Sequence, residues 1–243
     1  MKEFFKQNIV FISLSLLLLL ALGSALIFVP KGELHLALCD RHTPARDIFY
    51  RYYTHVAEWL PYVLCVLVLI FSKAGHAALA ASCIACSELT TQIIKHIVQA
   101  PRPLTWFAEN MPDVQLPLVE GVKMNYWLSF PSGHTTSFFA LFFALAILVG
   151  KRTARLINHG PKSKMPLGLN LWLNMLIIPL TLFVLAALGG YSRIYLSQHF
   201  PQDVFGGMCV GLLISIACYA LFSRFENQKW YNYRLLNDLR RRL

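Results

Sequence analysis

Apolar residues fill this chain in long blocks separated by short polar breaks. That pattern is neither the two-residue alternation of a half-buried strand nor the narrow stripe of a soluble amphipathic helix. Six blocks approach or exceed the length a helix needs to cross a bilayer, about 20 residues. They fall at residues 8–28, 56–71, 77–98, 133–149, 169–188 and 204–222. The break Ser72-Lys73-Ala74-Gly75-His76 is so short that the second and third blocks should form an antiparallel helical hairpin. The first block follows the basic start Met1-Lys2-Glu3-Phe4-Phe5-Lys6 and has some features of a secretory signal, with Ala21-Leu22-Gly23-Ser24-Ala25 as the cleavage region. Its apolar run is long for a signal and continues past that point, so we read it as an uncleaved span. The pattern therefore predicts an all-α polytopic membrane protein, a six-transmembrane-helix bundle forming one domain over residues 1–243. There is no internal repeat and no low-complexity linker.

Two connections are long. Residues 30–54 form a polar, aromatic-rich stretch with Asp47, Tyr50, Tyr52 and Tyr53, and tyrosines of this kind favour the membrane–water interface. Residues 100–130 hold Pro101, Pro103, Pro112 and Pro117 with Trp106, Phe107, Tyr126, Trp127 and Phe130. A loop of that length inside a compact domain is usually functional, and here it reads as an extramembrane lid between the third and fourth helices.

Composition agrees with the pattern: 56% of the 243 residues are hydrophobic, only 14% are charged, and mean hydropathy is +0.52. The net charge of +10 fits a bilayer better than a nucleic acid, because basic residues collect on the cytoplasmic side of membrane proteins and meet anionic lipid there. With both termini inside, that side receives Lys2, Lys6, Lys73, five basic residues of the fourth-to-fifth connection (Lys151, Arg152, Arg155, Lys162, Lys164) and six of the tail. Eight of the 22 remain outside, among them Lys95, Arg102 and Arg193. The expected localisation is the cell (inner) membrane, with the third-to-fourth and fifth-to-sixth connections together on the outer face. The six cysteines form no disulfide framework. Five lie in apolar runs and Cys39 in a loop, and the metal- or redox-like spacing of Cys83 and Cys86 is mid-helix, where small packing residues are the plainer reading.

Three segments carry chemistry. Lys95 and Arg102, at the outer end of the third span, would share a face if the helix persisted, and Pro101 and Pro103 end it. Ser132 is a natural N-cap for the fourth span, and Gly133 lets a ligand approach a helix N-terminus, where free N–H groups bind phosphate. His134 follows. In Ser192-Arg193-Ile194-Tyr195-Leu196-Ser197-Gln198-His199-Phe200-Pro201-Gln202-Asp203, Pro201 suits the first helical position and Asp203 then falls near N3. His199, just before the cap, can meet that carboxylate and keep its other ring nitrogen free as a nucleophile. Arg193 points to phosphorus as the electrophile. Each segment also has a plain reading, as snorkelling cations, a capped helix start with an interfacial histidine, or an acid favouring a helix dipole. Gathering all of them on one face by accident is a poorer account. Glu88, inside the third span, lies two turns before Lys95. That is about 10 Å of rise, too far for direct contact, and a structural bond to another helix explains it equally well.

Lys-x6-Arg-Pro (Lys95 to Pro103), Pro-Ser-Gly-His (Pro131 to His134) and Ser-Arg-x5-His-x3-Asp (Ser192 to Asp203) resemble the three-part signature of the type 2 phosphatidic acid phosphatase superfamily, with order and spacing matched. The resemblance implies a membrane lipid phosphatase in which His199 attacks phosphorus, Asp203 orients it and His134 protonates the leaving group. Lys95, Arg102, Arg193, Ser132 and Gly133 would hold the phosphoryl oxygens. It implies no metal or other cofactor. The expected substrate is a lipid bearing a terminal phosphate or diphosphate (phosphatidate, phosphatidylglycerophosphate, polyprenyl diphosphate or a lipid A phosphate), and the expected partners are membrane lipids and no nucleic acid. The sequence assigns no oligomeric state. The rival readings are a phosphotransferase using the same intermediate and a lipid-binding or transport protein without turnover.

Overall fold

A computed structural model describes residues 2–159 and 166–235. Lys162, Lys164 and the Arg240–Arg242 run of the expected cationic face lie outside the described residues. Among those described, every regular element is helical: α1 (Lys2–Gln7), α2 (Ile9–Phe28), α3 (Lys31–Cys39), α4 (Pro44–Tyr53), α5 (Trp59–Ser72), α6 (Ala74–Val98), α7 (Pro103–Asn110), α8 (Gly133–His159), α9 (Leu167–Trp172), α10 (Ile178–Tyr195) and α11 (Pro201–Phe222), with short 3₁₀ and π turns between some of them.

Five helical stretches are long and apolar enough to cross a membrane. A sixth is added when Pro44–Ala57 and Trp59–Ser72, bent by 54°, count as one span. With its apolar outer surface, the chain is a multi-pass membrane protein. The second expected span corresponds to α5, which at 14 residues covers only about 21 Å. The polar connection before it is not loop but the two helices α3 and α4, so Cys39 ends a helix and is buried. The long 100–130 connection likewise opens with a helix, α7, started by Pro103 at its first position, where the missing N–H is not needed.

The fifth span is assembled from α9, a π turn at Leu173–Ile177, and α10. Pro179 explains the turn, because its ring cannot sit beneath the carbonyl of the preceding turn and the widened ladder gives it room. α10 runs seven residues past the expected end, to Tyr195, and so carries Ser192 and Arg193 on its last turn rather than in a connection.

α8 is the centre of the bundle, enclosed by α6, α10 and α11. Phe138, Phe139, Phe143, Ala140, Ala144 and Ile147 along it are almost completely buried. α11 meets it through glycine. A Cβ on Gly207 would lie 2.7 Å from the Ser132 carbonyl oxygen, and one on Gly211 2.6 Å from that of Thr136, so the two backbones touch with no side chain between them. Close approach through small residues is how membrane helices gain packing energy when lipid removes the hydrophobic drive between them.

The two ends of the bundle differ. At one lie the first turn of α8, the last turns of α6 and α10, and the start of α11, covered by α3, α4 and the 111–132 segment. Tyr195 Oη donates to Asp47 (2.6 Å), Ser197 Oγ to the Pro117 carbonyl (2.9 Å) and Arg51 to the Glu120 carbonyl (3.1 Å), tying these layers together. At the other, Phe4 packs on Phe143 and Tyr219, and the backbone N–H groups of Ala74 and Gly75 donate to Tyr233 and Tyr231. Both described chain ends therefore sit at the end away from the three motifs.

Candidate functional site

Four helix ends converge on one cavity of about 600 Å³. α6 contributes Lys95 from its last turn. The helix stops where Gln99 takes a left-handed conformation (φ 48°), and Arg102 then turns back as the residue before α7. α8 opens with Gly133 and His134. Ser132 caps it, its Oγ accepting from the Thr135 hydroxyl (2.9 Å) and, at 3.4 Å, the Thr135 N–H. Pro131 precedes, joined to Phe130 by a cis peptide. α10 contributes Arg193, and the turn between α10 and α11 contributes His199.

Six of the eight sequence-predicted residues line this cavity: Lys95, Arg102, Gly133, His134, Arg193 and His199. Ser132 and Asp203 are buried behind it. Asp203 is at N3 of α11, as Pro201 led us to expect, and its Oδ2 accepts from the Phe200 N–H (2.9 Å) and from Ser129 Oγ (2.5 Å). The same oxygen lies 3.5 Å from His199 Nδ1, as does Ser129 Oγ. Nδ1 thus faces a carboxylate and a hydroxyl, leaving Nε2 as the nitrogen free for the cavity. The Asp203 carbonyl accepts from the Ser132 N–H (2.9 Å), linking the second and third motifs through backbone alone.

The cations are held by oxygen atoms of the covering layers. Lys95 Nζ donates to the Leu128 carbonyl (2.6 Å), and Leu128 itself has a left-handed φ of 60° that aims that carbonyl inward. Arg102 Nε donates to the Trp127 carbonyl (3.0 Å). Arg193, 6% exposed, donates to Thr54 Oγ1 (2.5 Å), while its Nε is buried without a partner. A buried N–H left unpaired costs about 1–3 kcal/mol, more when charged, so such a group marks a place for an acceptor. Burial, then the charges of Arg102, Arg193 and Lys95, hold His199 well below the ordinary histidine value. Its imidazole is neutral at neutral pH, the state a nucleophile requires.

Several residues at the site carried no motif. Gln198 Oε1 accepts from Arg102 (3.3 Å) and sits 3.5 Å from Arg193 Nη2, while its amide donates to the Lys123 carbonyl (3.1 Å). Ser129 shares Asp203 with His199. Glu58, Gln92 and Asn125 line the cavity, and so does Glu88, bonded to Gln92 (2.6 Å) and with Oε2 beside Gly133. The rise along α6 does keep Glu88 off Lys95, yet both open onto the same space. Three of these had a sequence signal: Gln198 and Ser129 by their position inside or next to a motif, and Glu88 as an acid within an apolar span. Below Glu88 the lining becomes apolar, with Trp59, Tyr62, Ile84 and Ala85 between α5 and α6, about 15 Å from Lys95 along the helix.

Lipid phosphate phosphatase 2 of Arabidopsis thaliana is 30% identical over 184 residues, covering 69% of this chain and 59% of that protein. Lipid phosphate phosphatase 1 of the same plant is 33% identical over 107 residues, covering 43% of this chain and 29% of the relative. The chain thus spans less than two thirds of the length of these relatives. Among solved structures, Aquifex aeolicus LpxE superposes with a TM-score of 0.59 at 25% identity, over 79% of this chain and 96% of that one. A transmembrane PAP2-type phosphatidylglycerolphosphate phosphatase from Bacillus subtilis gives a TM-score of 0.59 at 20% identity, over 92% and 99%, and shares the fold. The PAP2 superfamily profile matches residues 76–226, the stretch from the start of α6 past the end of α11 that supplies all three motifs, and the chain belongs to that superfamily.

Proposed function

We propose that this protein is a membrane phosphatase that removes the terminal phosphate or diphosphate of a lipid through a phosphohistidine. The observation that carries the reading is the two-part lining of one cavity: Lys95, Arg102, Arg193, His134 and His199 at its polar end, and Trp59, Tyr62, Ile84 and Ala85 at its apolar end. A phosphate monoester on a hydrocarbon chain fits both parts at once. The names of the relatives, lipid phosphate phosphatase and phosphatidylglycerolphosphate phosphatase, support the class.

In this mechanism Lys95, Arg102 and Arg193 bind the phosphoryl oxygens, with the Gly133 N–H at the α8 terminus. His199 Nε2 attacks phosphorus, the bond to the lipid oxygen breaks, and His134 gives that oxygen its proton. Asp203 holds Nδ1–H of the imidazolium. Water then attacks the phosphohistidine, the P–N bond breaks, and His134 recovers a proton as inorganic phosphate leaves. The three side-chain cations fill the role a metal plays in other phosphoryl-transfer sites, so the reaction uses no cofactor. Phosphatidate, phosphatidylglycerophosphate, polyprenyl diphosphate and lipid A phosphates are the candidate substrates. We place the site at the outer (periplasmic or extracellular) face of the cell membrane, because the sequence assigns 14 of its 22 basic residues to the side of the termini, which would then be cytoplasmic.

The test is phosphate release by purified protein across a panel of these lipids, with and without EDTA. We expect turnover of at least one, unaffected by the chelator, and a fall of at least about a thousandfold in His199→Ala. A His199→Ala protein that keeps the wild-type rate would remove the nucleophile. Labelled phosphate appearing on a second lipid would mark a phosphotransferase, and lipid binding that survives His199→Ala without any turnover by the intact protein would mark a binding or transport protein.

A further inference from the structure

A second cavity, of about 410 Å³, lies at the other end of α8, and it is independent of the proposed activity. Lys151, Arg152 and Arg155 line it from α8, about 26 to 32 Å along that helix from His134. Its apolar wall includes Leu69, Leu145, Leu148 and Leu182. Lys151 is accounted for by Glu226 (2.7 Å) and Tyr231 Oη (3.1 Å). Arg152 and Arg155 are exposed, and neither guanidinium has an ion-pair partner among the described residues. His76 also borders the cavity. Its Nδ1 meets Ser72 Oγ (3.1 Å), while Nε2 is buried without a partner.

Two uncompensated guanidinium groups above a leucine-lined trough ask for a ligand that is anionic at one end and hydrocarbon at the other. A free anion would leave Leu145, Leu148 and Leu182 unsatisfied, and a zwitterionic lipid would bring a cation back against the arginines. We infer that this cavity binds an anionic phospholipid, its phosphate diester held by Arg152 and Arg155 and an acyl chain lying along the leucines. Planar guanidinium pairs suit phosphate oxygens, and the surrounding bilayer supplies the ligand.

The experiment takes full-length protein, purified in a neutral detergent and stripped of carried-over lipid, and follows thermal unfolding as dioleoylphosphatidylglycerol is added. Dioleoylphosphatidylcholine and inorganic phosphate are run alongside. Phosphatidylglycerol should raise Tm saturably and the two controls should not. Arg152→Gln/Arg155→Gln should weaken the apparent affinity by about tenfold or more, the worth of one charge-assisted hydrogen bond, with the lipid-free Tm unchanged. The Arg152→Lys/Arg155→Lys pair should retain most of the response. If the glutamine pair lowers the lipid-free Tm, native mass spectrometry on each single variant, counting phosphatidylglycerol molecules retained per chain, makes the same comparison. An unchanged response in the glutamine variants, or stabilisation by phosphatidylcholine or inorganic phosphate equal to that by phosphatidylglycerol, would overturn the assignment.

Discussion

Gln198 is uncharged and sits inside a motif at a position the motif leaves free, yet its side-chain oxygen stands between two guanidinium groups that would otherwise repel. Its amide is in turn anchored by the Lys123 carbonyl. Gln198→Leu keeps the volume and removes the acceptor. We expect kcat/KM to fall by about 10–100-fold, the worth of one or two hydrogen bonds to charged groups, chiefly through KM, because the arginines then lose their alignment for phosphate while His199 keeps Ser129 and Asp203. A kinetic assay on the best lipid of the panel checks it, and a fall confined to kcat would count against a positioning role. At this scale the sequence was most legible for residues whose chemistry is local. Asp203 at N3 and Ser132 at a cap follow from a few neighbouring letters. Thr54, Glu58 and the Leu128 carbonyl do not, because they reach the site through tertiary packing of segments whose own composition says only turn or interface.

Hydrophobic blocks located every long helix, but their ends were set by other forces. α10 continues through Ser192 and Arg193 because those side chains find Gly189 and Thr54 as partners inside the protein, so polarity no longer marks an exit from the membrane. α3 and α4 were unreadable as helices against a search for 20-residue spans, being only 9 and 10 residues long. The contact between α8 and α11 is the element-level feature most open to test. In Gly207→Val the new side chain must displace the Ser132 carbonyl or Thr135, whose Cβ lies 2.9 Å from the added carbon. Overpacking of this kind costs about 1–3 kcal/mol or more, and Tm in detergent should fall by about 5 °C. Activity should drop further than the folded fraction does, since Ser132 moves with the contact. Gly168→Ala, which meets nothing within 4 Å, is the matched control and should change neither.

The whole molecule is polarised along α8, with the three motifs at one end and a basic, leucine-lined cavity at the other. The proposed orientation, with the second end facing the cytoplasm, rests on charge counting along the sequence, and labelling can decide it. In a background with the six cysteines replaced, Gln115→Cys should react with a membrane-impermeant maleimide in intact cells, and Lys229→Cys only after permeabilisation; the reverse order would invert the proposed topology. Both positions are exposed. The backbone contact at Gly207 and Gly211 has a consequence at this scale too. His134 opens α8 and His199 immediately precedes α11, two helices in glycine-to-carbonyl contact, whereas α2 presents mostly lipid-facing surface. A thicker or thinner bilayer can tilt that outer helix while the spacing of the two imidazoles stays fixed, so reactivity should be insulated from the length of the bilayer's acyl chains even where stability is not.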